Sequence, residues 1–260
     1  MREPAPGGDS GGAPPGSGGG SGPRRRPTGG RIDAEYYDST TYFQAAPQLL
    51  DRESRFQRYR IRMVTALADP RPDDRVVDLG CGWGTFEFAL ADQVREIIGV
   101  DFSRKSIQFC EAELRTSPRE NLSFLCADAG DTGLQAESVD LVVAADLFEH
   151  LYPEDSVRVA AEAFRILRPG GRFAVWTPHR GHVLEVLKNR GIVLKPDPTH
   201  VDYKSMVRLR GLLEGAGFRV QRAYYAESHL PVLQRVERLL SRWIPLLRRR
   251  IAVLGVKPES

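Results

Sequence analysis

The chain of 260 residues has only three cysteines, Cys81, Cys110 and Cys126, and none of them belongs to a CxxC pair. Such a set favours neither a disulfide framework nor a thiolate zinc site, so we expect a reducing compartment. No run of 18 apolar residues occurs, and the arginines at 24–26 are followed by Pro27 rather than by an apolar signal segment. The sequence therefore predicts a cytoplasmic location, with peripheral membrane contact left open.

A strong charge of one sign is also missing, since 37 Lys and Arg stand against 34 Asp and Glu. The balance is uneven along the chain. Residues 31–232 hold 26 basic and 30 acidic residues, whereas residues 233–257 hold seven basic residues and only Glu237 as an acid. The mild excess of acidic residues over 31–232 argues against a nucleic-acid partner for that part of the chain, where only local basic contacts remain plausible.

Glycine and proline are concentrated at the N-terminus, where residues 1–30 contain 11 of the 25 glycines and six of the 18 prolines. This stretch has almost no apolar side chain to offset its ordering entropy, so it is predicted to be a disordered tail. The remaining 230 residues suit a single domain of ordinary core size. We divide them into an N-terminal helical cap over 31–70 and a main domain over 71–260.

From residue 72 onward, short apolar runs alternate with amphipathic ones. The runs predict seven strands, at 75–79, 96–100, 122–126, 139–144, 172–176, 218–225 and 251–256. The amphipathic patterns predict helices at 48–68, 84–93, 104–115, 154–167, 203–214 and 233–249, with an interruption at Pro245. Strands separated by helices indicate an α/β fold with a Rossmann-like, doubly wound, mostly parallel sheet. We expect the helix at 48–68 to cover one edge of this sheet.

A glycine motif follows the first predicted strand, in the sequence VVDLGCGWG at residues 76–84. Glycines at alternate positions let the backbone turn sharply and approach a ligand, while free amides at the start of the next helix face it. A dinucleotide-binding pattern would place its third glycine at position 85, which is Thr85. The spacing is GxGxG and departs from the pyrophosphate-binding pattern.

Polar and aromatic side chains follow the next two strands. Asp101 ends the second strand, where a carboxylate can accept both hydroxyls of a ribose, and Phe102 beside it offers a flat surface for a purine. Asp128 follows the third strand and could accept a hydrogen bond from an exocyclic amine. Each of these carboxylates taken alone could equally be a helix cap.

Taken in order, these motifs and the turn at 167–172 resemble the class I S-adenosylmethionine-dependent methyltransferases over residues 72–226. The resemblance implies methyl transfer with S-adenosylmethionine as cofactor. The glycine turn would hold its methionine portion, Asp78 would orient its amino group, and Asp101 and Asp128 would bind its ribose and adenine. The expected cofactor-binding residues are Asp78, Gly80, Cys81, Gly82, Gly84, Asp101, Phe102, Asp128, Ala129 and Ala145.

The acceptor side is predicted at residues 145–151, after the fourth strand. His150 has an ordinary pKa of about 6.5 and could take a proton from a hydroxyl, which favours O-methylation of a small-molecule or lipid acceptor. His200, in a long insertion at 178–202, is the second catalytic candidate. No Asn/Asp-Pro-Pro-aromatic motif follows the fourth strand, so a nucleic-acid base is a less favoured acceptor.

The same loop resembles the acidic-x-x-Glu-His motif of the demethylubiquinone and polyprenyl-dihydroxybenzoate O-methyltransferases, although Asp146 stands where that group usually has Glu. The resemblance implies that Asp146, Glu149 and His150 could bind a divalent cation. Glu-His is also frequent here in methyltransferases that use no metal, and Glu149 would then cap or orient the next helix. A metal-assisted enzyme and a non-catalytic cofactor-binding scaffold remain the alternative functions.

Two further segments have open roles. Tyr36 and Tyr37 resemble the aromatic pair that many of these enzymes fold over the cofactor, but they could simply pack the N-terminal segment onto the body. At 233–249, apolar residues at helical spacing alternate with arginines, which suits an interfacial helix on anionic lipid. It suits equally a helix covering the sheet between the last two strands, and we favour this second interpretation. The lipid interpretation would favour an apolar or polyprenyl acceptor.

Overall fold

The computed structural model describes residues 31–39, 51–179, 181–189, 197, 199–228, 231–241 and 243–259. The tail predicted at 1–30 lies outside the described residues. Seven strands form one sheet: β1 Arg75–Leu79, β2 Glu96–Asp101, β3 Leu122–Cys126, β4 Val139–Ala145, β5 Leu167–Pro178, β6 Arg219–Ala226 and β7 Arg250–Val256. Their order is β3-β2-β1-β4-β5-β7-β6, with only β7 antiparallel to its neighbours. The predicted Rossmann-like, doubly wound, mostly parallel sheet is confirmed.

Eight α-helices connect or flank these strands in the described part of the chain. They are α1 Ala34–Ser39, α2 Arg55–Ala68, α3 Thr85–Leu90, α4 Arg104–Thr116, α5 Pro153–Ile166, α6 Val183–Asn189, α7 Met206–Gly215 and α8 Pro231–Leu240. Local signals fix several of their starts, because the hydroxyls of Ser54 and Ser103 accept the amides of Gln57 and Ser106 at 3.2 Å. α5 begins with Pro153 in its first turn, where the missing amide hydrogen is not needed.

The sheet is covered on both faces, which explains why its central strands are apolar throughout. One buried cluster joins α2 and α3 to the sheet through residues such as Leu67, Phe86 and Trp176. The other joins α5 and α7 to the opposite face through residues such as Val159 and Leu213. The expectation that α2 covers an edge is therefore wrong, because its apolar stripe packs across the central strands β4, β5 and β7.

The C-terminal segment departs from the interpretation that we favoured. α8 ends at Leu240, five residues before the predicted interruption at Pro245, and a single 3₁₀ turn at Pro245–Leu247 follows it. Val232, Val236 and Leu239 on α8 are exposed to solvent, so this helix does not bury its apolar side chains against the sheet. Among the described residues, no helix has the length and apolar character needed to cross a bilayer.

Candidate active site

A cavity of about 580 Å³ opens at the carboxyl edge of the parallel strands. This is where ligands bind in doubly wound sheets, because the loops that leave the strands converge there. The wall includes eight of the ten residues expected to contact a cofactor, namely Gly80, Cys81, Gly82, Asp101, Phe102, Asp128, Ala129 and Ala145. It also includes both predicted catalytic histidines, His150 and His200, so one cavity holds the predicted cofactor side and the predicted acceptor side.

The glycine turn is fixed to the end of β2. The amides of Gly80 and Cys81 donate to the carbonyl oxygen of Val100 at 2.8 and 3.0 Å, and the amide of Gly82 donates to Asp101 Oδ2 at 2.9 Å. Gly82 has a positive φ of 54°, which favours glycine, and a Cβ atom there would meet no atom within 4 Å. The backbone at Gly82 therefore borders open space in which a ligand can approach.

Asp101 combines two roles at this turn. Its Oδ1 accepts the amide of Ser103 at 2.9 Å, while its Oδ2 accepts Gly82, so the carboxylate orders the backbone around the cavity. Burial raises the pKa of Asp101, although these two amides oppose the shift. A carboxylate has about four acceptor sites, so two remain for hydroxyl groups of a ligand.

Two expected cofactor residues, Asp78 and Gly84, lie behind the cavity wall rather than in it, and their role toward a cofactor stays a prediction. Asp78 is buried within β1, where burial raises the pKa of its carboxyl to about 7. Gly84 has a φ of 68° and lies against the inside of the fold, because a Cβ there would come within 3.0 Å of Phe124 and 3.2 Å of the Cys110 sulfur. The third glycine of the motif thus serves close packing.

His150 lies on a 3₁₀ turn, Phe148–His150, directly after β4. Its Nδ1 is 3.1 Å from the carbonyl oxygen of Thr199 and 3.1 Å from the hydroxyl of Tyr37. A carbonyl oxygen can only accept, so Nδ1 carries the proton and Nε2 carries the lone pair. Burial lowers the pKa of His150, which keeps the ring neutral near pH 7 and able to accept a proton at Nε2.

His200 lies beside it, with 4.7 Å between the two ring centroids. Its Nδ1 is 2.6 Å from the hydroxyl of Tyr203, which itself donates to Glu185 Oε2 at 2.7 Å. The tyrosine oxygen must then accept from Nδ1, so His200 also has its proton on that nitrogen. The structure therefore brings the two predicted histidines together, with His200 Nε2 facing Asp197 Oδ2 at 3.7 Å.

Glu149 connects the two histidine-bearing segments. Its backbone carbonyl accepts the amides of Val201 and Asp202 at 2.9 and 3.2 Å, which ties the insertion to the turn after β4. Its side chain is buried and accepts the Thr177 hydroxyl at 2.9 Å, and burial raises the pKa of its carboxyl to about 8. Burial thus favours the protonated form of this carboxyl.

The helical cap closes the cofactor side. Tyr37 on α1 lines the cavity and lies 5.4 Å, centroid to centroid, from Phe102, while Tyr36 is not among the lining residues. The same helix is attached to the start of α4, because the Ser103 hydroxyl donates to Asp38 Oδ1 at 2.6 Å. Of the two aromatic residues, Tyr37 is the one that lines the cavity.

Comparison with known proteins agrees with this geometry. Residues 76–171, which include the glycine turn, Asp101 and Asp128, match the family described as a methyltransferase domain. This chain carries a class I S-adenosylmethionine-dependent methyltransferase domain. The family implies S-adenosylmethionine as the cofactor, and the open backbone at Gly82 together with the Asp101 carboxylate fits such a ligand.

Relatives of this methyltransferase domain differ in their acceptors. A probable S-adenosylmethionine-dependent methyltransferase of Mycolicibacterium smegmatis is 31% identical over 67% of this chain and 63% of its own length. Nocamycin O-methyltransferase of Saccharothrix syringae is 33% identical over 47% of this chain and 44% of its own length. Demethylmenaquinone methyltransferase of Lactococcus lactis is 32% identical over 37% of this chain and 39% of its own length. The chain spans less than two thirds of each of these relatives.

Solved structures share the fold of this methyltransferase domain at low sequence identity. A methyltransferase from Archaeoglobus fulgidus superposes with a TM-score of 0.63 at 22% identity, covering 84% of this chain and all of that one. The [4+2]-cyclase SpnF superposes with a TM-score of 0.66 at 17% identity, covering 88% of this chain and 98% of that one. The shared fold therefore does not by itself determine the reaction.

Asp146, one of the three residues that the resemblance offered as possible metal ligands, is instead paired with two arginines, one from the helical cap and one from the main domain. Its Oδ2 accepts Arg60 Nε at 2.8 Å, and its Oδ1 accepts Arg250 Nη1. Burial opposes ionisation of Asp146, but the two guanidinium groups outweigh it and lower the pKa. The group that could instead hold a cation comprises Glu149, His150 and His200, whose ligand atoms all lie within 4.8 Å of one another.

Sequence reasoning missed Arg60 and Arg250, which both line the cavity. They lie 86 and 104 residues from Asp146 along the chain, on α2 and at the first residue of β7. Nothing in the local pattern distinguishes either from the other arginines of the chain. The one available signal was Asp146 itself, an acid directly after a buried strand that needs a cationic partner.

Proposed function

We propose that this protein transfers a methyl group from S-adenosylmethionine to a hydroxyl oxygen of a small-molecule or lipid acceptor. The observation that carries the proposal is the position of His150, which lines the same cavity as Gly82 and Asp101. When bound, the cofactor supplies a sulfonium methyl group that is already activated for transfer. The protein then needs to orient the acceptor and remove its proton.

His150 is the group that we assign to proton removal. Thr199 holds the proton on Nδ1, which leaves Nε2 as the acceptor atom, and the Tyr37 hydroxyl, which contacts the same Nδ1, further limits the rotation of the ring. His200 positions this segment through Tyr203 and Glu185 and borders the acceptor. A neutral base suits a hydroxyl acceptor, because the oxygen becomes a strong nucleophile as its proton is removed, whereas a free amine attacks with its own lone pair.

The cofactor part of the proposal is tested by calorimetry with S-adenosylhomocysteine. We expect the intact protein to bind it, and Asp101→Ala to bind it at least about tenfold more weakly, because a ribose contact and the order of the Gly82 backbone are both lost. Since Asp101 also accepts two backbone amides, the variant should lose about 1–2 kcal/mol of unfolding free energy. No detectable binding by the intact protein would refute the function.

The base is tested with S-adenosylmethionine carrying a labelled methyl group and a panel of phenols, carboxylic acids and amines. We expect transfer to a phenol, and a loss of about 10²–10⁴-fold in kcat for His150→Asn with little change in cofactor affinity. His179→Asn is the matched control, because His179 lies outside the cavity wall and contacts the Arg248 carbonyl instead. Cofactor binding without transfer to any acceptor in a cell extract would favour the scaffold alternative.

A second candidate is metal-assisted O-methylation, which the convergence of Glu149, His150 and His200 favours. Two imidazoles and a carboxylate suit a divalent cation, which would bind the acceptor oxygen and promote loss of its proton. Exhaustive chelation followed by an activity measurement decides between metal-free and metal-assisted methyl transfer. Loss of transfer that returns with added Mg²⁺, Mn²⁺ or Zn²⁺ supports the metal, and unchanged activity excludes it.

A further inference from the structure

The C-terminal helix α8 exposes its apolar side chains. Val232 is 77% exposed and Leu239 is 72% exposed, and Trp243 just beyond the helix is 83% exposed. Seven of the eleven large apolar side chains that are exposed in the described part of the chain lie between 232 and 246, namely Val232, Val236, Leu239, Leu240, Trp243, Ile244 and Leu246. Such a concentration marks an interaction surface rather than scattered surface residues.

The opposite side of α8 is fixed to the protein by an acid. Glu237 is completely buried, accepts the backbone amide of Ser228, and lies 3.9 Å from the imidazole of His182. With about 3.6 residues per turn, Val232, Val236 and Leu239 form a stripe roughly a third of a turn from Glu237. The outward direction of the apolar stripe is therefore set by a buried polar anchor.

The charge around this stripe has one sign. Residues 231–249 include Arg235, Arg248 and Arg249 among their basic residues, and their one acid is the buried Glu237. Among the described residues of this segment, the charges that reach solvent are therefore all basic: Arg235 is exposed, and Arg248 and Arg249 are half-buried. This pattern differs from the body of the chain, where acids outnumber bases.

Two occupants for such a surface can be compared. A second copy of this chain in a two-fold dimer would place each basic segment against its own counterpart, and like charges would oppose that contact. An anionic bilayer complements both properties, because apolar residues and Trp enter the headgroup region while arginines meet lipid phosphates. Trp is particularly suited to this depth, since its ring is apolar and its N–H is polar.

We propose that α8 and residues 243–247 dock this protein on an anionic lipid bilayer. The segment is close to the acceptor side of the cavity, because Glu237 on α8 lies 3.9 Å from His182 in the insertion and Arg250, three residues after the turn at 245–247, lines the cavity. Docking would therefore present the cavity to acceptors held in the membrane. Only this last consequence rests on the proposed methyl transfer.

The test is flotation of the full chain with vesicles of phosphatidylcholine alone or mixed with phosphatidylglycerol. We expect flotation with the anionic vesicles, little with the neutral ones, and a decrease as salt rises from about 0.1 to 0.5 M. Leu239→Glu and Trp243→Glu should each lower the bound fraction roughly tenfold. Both side chains are exposed, so the fold should tolerate the changes.

Val207→Glu is the matched control, because Val207 is 82% exposed but lies on α7. It should float like the unmodified protein. Absence of flotation with anionic vesicles, or an equal loss for Val207→Glu, would overturn the proposal. Dimerisation that Leu239→Glu abolishes, with no vesicle binding, would overturn it in favour of a second copy. Calorimetry with S-adenosylhomocysteine is independent of all these outcomes and reports on the methyltransferase function alone.

Discussion

Replacing Asp146 with Asn is expected to destabilise the fold by removing one charge from between two cations. The carboxylate accepts Arg60 Nε at 2.8 Å and Arg250 Nη1 on its other oxygen. The three side chains are between 15% and 24% exposed, so solvent screens the interaction only in part. Without the negative charge, two guanidinium groups remain close together in the wall of the cavity.

The expected loss is about 2–3 kcal/mol of unfolding free energy. Breaking a fully buried pair by removing one partner costs about 3–5 kcal/mol, and partial exposure here places the value below that range. Asn keeps the shape of the side chain and tolerates the positive φ of 60° at this position, so the backbone adds little. Asp146→Ala should lose about 1 kcal/mol more, because it adds backbone strain.

Urea unfolding followed by circular dichroism measures these differences, with Asp92→Asn as the control. Asp92 lies 3.5 Å from Arg119 but is 77% exposed, so its loss should cost less than about 0.5 kcal/mol. Because the pKa of Asp146 is lowered in the folded state, its contribution is complete above the unfolded value near 3.9 and disappears as the pH falls further. A cost below about 0.5 kcal/mol for Asp146→Asn at pH 7 would refute the reasoning.

Two other predictions concern the glycine turn and acid stability. Gly82→Ala should weaken binding of S-adenosylhomocysteine and lower the unfolding free energy by about 1 kcal/mol. Gly84→Ala should lower the unfolding free energy by about 1–3 kcal/mol more, because its Cβ would overlap with Phe124. Calorimetry measures the binding and urea unfolding measures the stability. Burial opposes ionisation of Glu162, but the hydrogen bonds from Arg165 and Thr132 lower its pKa to about 2. Glu162→Gln should therefore lose up to about 3 kcal/mol at pH 7, and the difference from the unmodified protein should vanish as the pH falls from about 5 to 2. A difference that persists at pH 2 contradicts this account.

The sequence was sufficient to predict the sheet because the relevant signals are local. Buried parallel strands are continuous apolar runs, and β1 and β3 have the predicted bounds, while β2 is longer by one residue. Helix starts at Ser103 and Pro153 also depend on side chains within one turn of the boundary. The face that a helix covers is less local, so α2 was assigned to an edge although it packs across the sheet.

The error at α8 has a comparable origin. The apolar spacing at 233–249 predicts an amphipathic helix, but periodicity cannot tell whether the apolar stripe faces the protein or its surroundings. That choice depends on Glu237, which is buried and accepts the Ser228 amide, so the apolar stripe faces away from the protein. The available signal in the sequence was Glu237, a single acid in an otherwise basic segment. It entered the prediction only through the charge balance and not as a residue that could be buried.

The two sides of the cavity differ in how they are built, and this explains which part was predictable. On the cofactor side, the loops that follow adjacent strands bind one another, as the Gly82 amide does with the Asp101 carboxylate. On the acceptor side, side chains from distant segments hold the backbone: buried Lys204 donates to the carbonyls of Phe148 and Leu151 at 2.9 and 3.1 Å, on both sides of His150. Because acceptor contacts depend on such long-range bonds, Lys204→Met should impair methyl transfer far more than binding of S-adenosylhomocysteine.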